Sequence, residues 1–447
     1  MKRKIYNELA RWKNLKHGSE ALLLDGARRI GKSYIVEEFA KNEYRSYILI
    51  DFNIAGEEIR ELFDLYLNDL KNFFSRLQLL TGKRLYERES LIIFDEVQLC
   101  PRARAAIKYL VADGKYDYIE TGSLMSINHN VKDILIPSEE HRLDMYPMDF
   151  EEFLWAMGDD LSMDYIRECY AERKPLGNAL HRKMMDYMRA YMIVGGMPQA
   201  VLQYAQNGDF EAVNDIQRNI LKLYRNDIQK YANRHKEKVT RIFDAIPAQL
   251  QRHEKKFRLS TMEKGARMRN YETAFFWLDE SRVANTCSGV CAPDVALPLM
   301  KGDRFKLYMG DTGLLMAMTF EDKNVIRQVY QKLLKGKLEM NKGMLVENLV
   351  AQMLKSAGKP LYFYSNSSTN KEDKMEIDFL LPKATITSRH NIIPIEVKST
   401  TRFSTVSLNK CRKKIAEQVL QPMVLYTGDV AIKDEVLYLP LYMASVL

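Results

Sequence analysis

Long uncharged apolar runs are missing from this chain of 447 residues. No stretch approaches the roughly 20 apolar residues that span a bilayer, so no membrane partner is expected. The opening segment, MKRKIYNELARWKNLKHG, is charged and lacks both an apolar centre and a small-residue cleavage site, which speaks against a secretion signal. The expectation is a cytoplasmic protein. Cysteine is scarce: five residues, too few and too scattered for a disulfide framework. Cys287 and Cys291 are close together, but no second Cys pair or His pair stands at zinc spacing. A structural metal is therefore not expected there, and Cys100, Cys169 and Cys411 read as ordinary thiols.

Apolar residues make up 46% of the chain. That is enough for more than one core, and for two to four domains at roughly 100 to 200 residues each. The net charge is +8 and unevenly placed. Between Arg234 and Arg269, eleven Lys and Arg stand against four acids, a net of +7 in 36 residues. A concentrated positive field suits a polyanion, although a solvated helical face has the same composition.

ALLLD, residues 21–25, reads as a short buried strand. GARRIGKS follows, and then YIVEEFAKN with apolar residues at helical spacing. Gly26, Gly31, Lys32 and Ser33 fit G-x-x-x-x-G-K-[ST] without a gap. Glycines let backbone N–H groups turn inward around phosphates, and the helix N-terminus adds partial positive charge. The whole stretch Gly26, Ala27, Arg28, Arg29, Ile30, Gly31, Lys32, Ser33 and Tyr34 is the candidate nucleotide loop. Lys32 is expected at the β- and γ-phosphates, and the Ser33 hydroxyl at Mg²⁺. LIIFDEVQ, residues 91–98, supplies acids at the C-terminal end of a second strand. Asp95 is the candidate Mg²⁺ ligand, and Glu96 the general base for the attacking water. YDYIETGSL ends a third strand with Thr121 and Ser123, hydroxyls able to sense the γ-phosphate. RSYILIDF is a further strand candidate.

The combination GARRIGKS, LIIFDEVQ, IETGSL and HRLDMYPMDFEEFL resembles one prokaryotic family of AAA+ ATPases. The later YMIVGGMPQAV, YRNDIQKYA and FKLYMGDTGLL are similar to that family's stereotyped segments, so the resemblance covers most of the chain. It implies ATP as ligand, an AAA+ core, a DNA-binding winged-helix segment and a C-terminal domain like the PD-(D/E)xK nucleases. One departure is His141, where the family has Gly before the Arg; Arg142 is the candidate charge-stabilising arginine at the ATP site, in cis or from a neighbour. A homo-oligomer or a protein partner stays open.

Residues 151–235 carry long helical patterns, and their Met, Leu and Tyr stripes read as helix core. GGMP at 195–198 breaks them, because glycines followed by proline stop a helix. This segment is expected to be a helical lid beside the nucleotide. Residues 236–335 suit a winged helix, and the basic excess falls here. Lys255, Lys256, Arg258, Lys264, Arg267 and Arg269 are the candidate DNA phosphate contacts. LSTMEKGARMRNYETAFFWL is read as a groove helix or a protein-packing helix.

NIIPIEVKST, residues 391–400, places Glu396 and Lys398 two apart in an apolar strand, hence on one face. Glu-x-Lys recurs elsewhere, but only here inside an apolar strand-like run. Burying a charge costs several kcal/mol unless it is paired or bound to a metal. Upstream, MEIDFLLP carries Asp378, and NKGMLVENLVAQMLKSAG is an amphipathic helix bearing Glu347. The order helix-Glu, strand, strand-Asp, strand-Glu-x-Lys resembles the PD-(D/E)xK core. That resemblance implies Mg²⁺ on Asp378 and Glu396, Glu347 supporting its shell, and Lys398 orienting the attacking water. Glu396 and Lys398 merely paired in a non-cutting scaffold is the other reading.

The expected fold class is therefore α/β: a P-loop AAA+ parallel-sheet core with helical lid, winged helix and a restriction-endonuclease-like α/β C-terminal domain. The expected boundaries are 1–150 for the ATPase core, 151–235 for the lid, 236–335 for the winged helix and 336–447 for the nuclease-like domain. The expected activity is ATP hydrolysis with DNA binding and a Mg²⁺-dependent nuclease site. The alternative is a nucleotide-controlled, STAND-like binding switch with an inactive nuclease-like scaffold.

Overall fold

The computed structural model describes residues 1–122, 139–252, 256–261, 267–293, 297–338, 342–383 and 391–447. Ser123, Lys255 and Lys264 lie outside the described residues. The chain divides into two compact units, Met1–Tyr146 and Pro147–Leu447. No described helix is long and apolar enough to cross a membrane.

The first unit is built on five parallel strands: β1 (Ala21–Asp25), β2 (Ser46–Asp51), β3 (Ser90–Asp95), β4 (Asp117–Gly122) and β5 (Glu140–Asp144). Their spatial order is β2-β3-β4-β1-β5. Every residue of β1, β3 and β4 is buried. A parallel sheet covered on both faces needs apolar residues at successive positions, which is why these strands read as runs such as LLL and LIIF. One side is filled by aromatic rings packed edge to face, Phe63 against Phe52, Phe73 and Phe94 at 5.8, 5.2 and 5.5 Å between centroids. From β1 the chain crosses to β2 at one edge, and it ends at β5 on the other side of β1. Ligands bind at the carboxyl ends of strands at such a reversal. Asp25 and Asp95 end apolar runs there, and Thr121 lies at the same end of β4.

The second unit begins with the helices Phe150–Ala156, Ser162–Glu172, Asn178–Val194, Pro198–Asn207, Phe210–Tyr231 and Lys236–Leu250. Asp149 opens the first with a capping box: its side chain accepts the Glu152 N–H, and Glu152 accepts the Asp149 N–H. An eight-stranded mixed sheet follows: β6 (Ala284–Val290), β7 (Lys301–Met309), β8 (Tyr362–Asn366), β9 (Met375–Pro382), β10 (Ile392–Val397), β11 (Met423–Tyr426), β12 (Ala431–Lys433) and β13 (Val436–Pro440). The order is β12-β13-β11-β10-β9-β8-β6-β7. β6 and β7, which lie in the segment expected to be a winged helix, form the edge of this sheet. The cause is backbone pairing: β6 runs parallel to β8 from Ser288↔Tyr362 to Val290↔Tyr364. The sheet thus continues across residue 335.

Two further readings change. The stretch expected as one long groove helix is interrupted. Met268–Asn270 is a 3₁₀ turn, and the described helix starts at Glu272, after Arg267 and Arg269. Arg267, Arg269 and Asn270 face solvent, so no apolar face holds them in a helix. The helix Lys342–Ser356, expected to be amphipathic, is buried on all sides from Met344 to Leu354. Its polar residues are satisfied internally, as buried polar groups must be. Asn348 Oδ1 accepts the Met309 N–H, and Gln352 Oε1 accepts the Thr312 N–H. Asp311 caps the helix Thr312–Thr319 and also accepts the Gly196 N–H at 2.6 Å. The segments GGMP and GDTGLL are thereby tied together. Gly196 is required, since a Cβ there would lie 2.0 Å from the Met148 carbonyl oxygen.

Candidate functional site

The glycine loop leaves β1 and enters the helix Lys32–Glu43. Gly31 caps that helix at φ 91°, a left-handed conformation that favours glycine. Gly26 has no room for a side chain: a Cβ would lie 2.3 Å from the Met145 carbonyl oxygen. Ala27 and Ile30 are buried, Arg28 is half-buried, Arg29 is exposed at φ 70°, and Tyr34 is exposed. Arg3 braces the loop from outside the motif. Its Nη1 donates to the Ile30 carbonyl at 2.8 Å and its Nη2 to the Tyr146 carbonyl at 2.7 Å.

Lys32 is buried, and its Nζ donates to the carbonyls of Gly26 and Ala27, each at 2.9 Å. Burial lowers its pKa, while Glu96, Asp25 and Asp95 oppose the shift. Ser33 Oγ donates to Asp95 Oδ1 at 2.9 Å, and Thr121 Oγ1 donates to the same oxygen. Loop, β3 and β4 therefore deliver Ser33, Asp95 and Thr121 to one point. Glu96, half-buried, follows Asp95 in the left-handed region at φ 52°, and its carboxylate accepts a hydrogen bond from Gln98. Such a conformation in a non-glycine residue is uncommon.

Arg142 lies on β5, and its Nη2 donates to Asp25 Oδ2 at 2.6 Å while its Nε lies 3.5 Å from Asp144 Oδ1. Asp25 is fully buried at the carboxyl end of β1, directly before the loop. Arg3 and Asp25 were not among the residues expected at this site. Asp25 carried a signal, an acid ending an apolar strand ahead of the glycines; Arg3 carried none.

The second unit gathers a different set. Lys306 on β7 is completely buried. Its Nζ lies 3.2 Å from Glu347 Oε1, 3.0 Å from Glu376 Oε1 and 3.8 Å from Asp378 Oδ1. Tyr308 donates its hydroxyl to the same Glu347 oxygen at 2.5 Å. The Phe363 ring centroid is 5.0 Å from the ammonium, within cation–π range. Burial alone would lower the Lys306 pKa; Glu347, Glu376 and Asp378 outweigh it and hold it above its ordinary value.

Asp378 Oδ2 accepts the Val397 N–H at 2.8 Å. Glu396 is turned to other partners. Its Oε1 accepts the Leu408 N–H at 2.9 Å, in the first turn of the helix Val406–Lys414, and its Oε2 pairs with Lys398 Nζ at 2.8 Å. The antiparallel β9–β10 ladder runs to Ile395↔Phe379, one pair short of Asp378 and Glu396. The backbone brings Asp378, in the middle of β9, and Glu396, near the end of β10, onto adjacent strands, and hydrogen bonding then divides their carboxylates. Among the described residues, no group of three or more His, Cys, Asp or Glu is placed to hold a metal ion. Glu347 and Asp378 converge on Lys306 instead. Lys306, Tyr308 and Glu376 were missed in the sequence. The available signal was spacing, since Lys306 and Tyr308 share one strand face and Glu376 and Asp378 another.

Of the described basic residues, Lys256 Nζ donates to Ser367 Oγ at 3.1 Å, and Arg304 Nη1 reaches the same hydroxyl at 3.4 Å. Arg258 and Arg267 are exposed. Arg269 lines a groove of about 520 Å³ with Lys301, Arg304, Phe275 and Phe305, against the acids Glu272 and Asp303. Phe257, Phe275 and Phe305 form a ring cluster there, with centroids 4.5 to 5.8 Å apart. Lys301 and Arg304 lie outside the tract that the charge count singled out.

A strand, a glycine loop with its lysine and serine, and an acid ending another parallel strand of the same sheet define a P-loop nucleoside triphosphatase. Residues 18–154 match the family described as an AAA domain. Residues 185–324 and 342–443 match two domains of unknown function, DUF8612 and DUF4143. No curated protein matches the chain. Among solved structures, the chain is similar to the Walker-type ATPase PabY2304 of Pyrococcus abyssi, at 15% identity over 71% of this chain and 96% of that one, with a TM-score of 0.43. It is also similar to Cdc6p from Pyrobaculum aerophilum, at 12% identity over 76% and 96%, TM-score 0.28. A third is Drosophila ORC, solved bound to DNA, at 12% identity over 70% and 93%, TM-score 0.28. The first unit thus carries an AAA-type ATPase domain that binds and hydrolyses ATP.

Proposed function

We propose that this chain is a Mg²⁺-dependent ATPase that uses nucleotide turnover to control a DNA-contacting second unit. One observation carries the ATPase part: Ser33 and Thr121 converge on Asp95 beside the N-terminus of the helix Lys32–Glu43. Hard oxygen donors gathered at a helix N-terminus fit a divalent cation and a triphosphate together. Ser33 and Asp95 would hold Mg²⁺, which neutralises developing charge on the phosphates. Lys32 exchanges its two carbonyl partners for phosphate oxygens. Glu96 orients and deprotonates the attacking water, Thr121 reports on the terminal phosphate, and Arg142 leaves Asp25 to stabilise charge there. Phosphate release by Lys32→Ala tests the assignment; turnover equal to that of the unaltered protein ends it.

For the second unit, the groove of Arg269, Lys301 and Arg304 with its aromatic floor is the DNA contact, continuous through Ser367 with Lys256. Phosphate-dominated binding weakens steeply with salt. Absence of measurable DNA affinity at low salt would favour the second reading, a nucleotide-controlled binding switch whose C-terminal domain does not cut. That reading has one observation of its own, the convergence of Glu347 and Asp378 on Lys306.

A further inference from the structure

We infer that Lys306 is the resident cation of the C-terminal acidic cluster: its ammonium takes the place a divalent metal would take, and the cluster is a closed ion site without metal-nuclease chemistry. The inference rests on the non-cutting reading of that domain and is independent of the ATPase assignment, whose test is Lys32→Ala turnover.

Three carboxylates from two elements, Glu347 on the helix Lys342–Ser356 and Glu376 and Asp378 on β9, meet one point. Without a cation they would be mutually repelling anions beside a buried helix. Either protons or a cation must relieve that repulsion, and the chain supplies its own cation. Lys306 has no exposed surface, so it reaches the carboxylates as part of the core rather than as a mobile surface side chain.

The oxygens are committed as well. Glu347 Oε1 takes both the Tyr308 hydroxyl and the Lys306 ammonium. Asp378 Oδ2 takes the Val397 N–H. Glu396, the acid that a nuclease site needs beside Asp378, caps the helix Val406–Lys414 and pairs with Lys398. A divalent ion entering here would lie at contact distance from an ammonium, and like charges so placed oppose binding. The residues therefore do not fit Mg²⁺ while Lys306 is present. Removing Lys306 leaves a donor set of hard oxygens only, which would have to draw together around an ion, since as they stand no three of the described acids are placed for one.

The test uses the full chain without nucleotide, titrated with Mn²⁺ followed by electron paramagnetic resonance, and a supercoiled plasmid as cleavage substrate. Asp95→Asn is present in every arm, so that the ATPase site does not contribute. With Lys306 intact, Mn²⁺ binding is expected to be unchanged by Asp378→Asn or by Glu376→Gln, and the plasmid to stay uncut. Lys306→Ala and the longer, uncharged Lys306→Met are expected to gain one Mn²⁺ site at least tenfold tighter, abolished by adding Asp378→Asn. Mn²⁺ binding or plasmid cutting with Lys306 intact that falls tenfold in Asp378→Asn or Glu376→Gln overturns the inference. So does a folded Lys306→Ala or Lys306→Met protein with no gained site. Should both Lys306 variants fail to fold, the arms with Lys306 intact still decide.

Discussion

Lys32 and Lys306 are both buried lysines, and their surroundings are opposite. Lys32 is held by two neutral backbone carbonyls at the mouth of a glycine loop, and burial lowers its pKa. Lys306 is held by three carboxylates inside the second unit, and they keep its pKa raised against burial. The first ammonium is hydrogen-bonded to neutral carbonyls, with Glu96, Asp25 and Asp95 acting on its charge without displacing them, and has something to gain from a phosphate. The second is answered by its own chain. A buried cation serves a ligand when its resting partners are weaker than the ligand, and serves the fold when they are stronger.

The largest effect expected from breaking this contrast is on stability. Lys306→Met leaves three buried or half-buried carboxylates without their cation. Removing one partner of a buried ion pair costs about 3–5 kcal/mol, read as a lowered urea midpoint of the second unit by tryptophan fluorescence. A midpoint shift below about 1 kcal/mol would place Lys306 with surface pairs and remove the contrast. The matching change at the other lysine, Lys32→Ala, is expected to leave folding intact and lower ATP turnover about 10²- to 10³-fold, the usual scale for one electrostatic donor at a transition state.

Asp311 sharpens the comparison from the anionic side. Burial raises its pKa to about 6, against backbone donors at Gly196, Leu314 and Gly313. The folded state thus holds this proton more tightly than the unfolded chain, whose carboxyl titrates near 3.9. Between about pH 4 and pH 6 this group makes stability fall as pH rises, by up to about 3 kcal/mol. Asp311→Asn is expected to flatten that part of a stability-against-pH profile; an unchanged slope would show the carboxylate ionised throughout. The smallest effect belongs to the exposed cations. Arg304→Ala is expected to reduce the slope of log DNA affinity against log salt by about one, and an unaltered slope removes Arg304 from the contact.

The two sites also differ in how far they were readable. In the first, Gly26 to Ser33 are contiguous, Asp95 ends an apolar strand, and Thr121 stands one residue before the end of β4. Burial on both faces of a parallel sheet wrote β1 and β3 as apolar runs, so the ends where polar groups emerge were visible. In the second, Glu396, Lys398, Asp378 and Glu347 were picked out by type and order. Their mutual placement depended on a residue 41 positions before Glu347, on a strand that joins the sheet by pairing with β8 through β6. Nothing local to FKLYM announces which carboxylates it will meet. The helix Lys342–Ser356 misled for the same reason: a polar residue looks solvent-facing until the partner that buries it is known.

Sequence by itself determined the local chemistry: a loop whose glycines admit phosphate, acids at strand ends, a concentration of positive charge and a Glu-x-Lys strand. These follow from backbone permissiveness and side-chain periodicity, which act over a few residues. Tertiary structure alone decided who neutralises whom. Which carboxylate meets Lys306, Arg142 or the Leu408 N–H is set by strand order and helix packing across separations of 12 to 117 residues. Coulomb energies in a buried site depend on those separations, not on the order of letters.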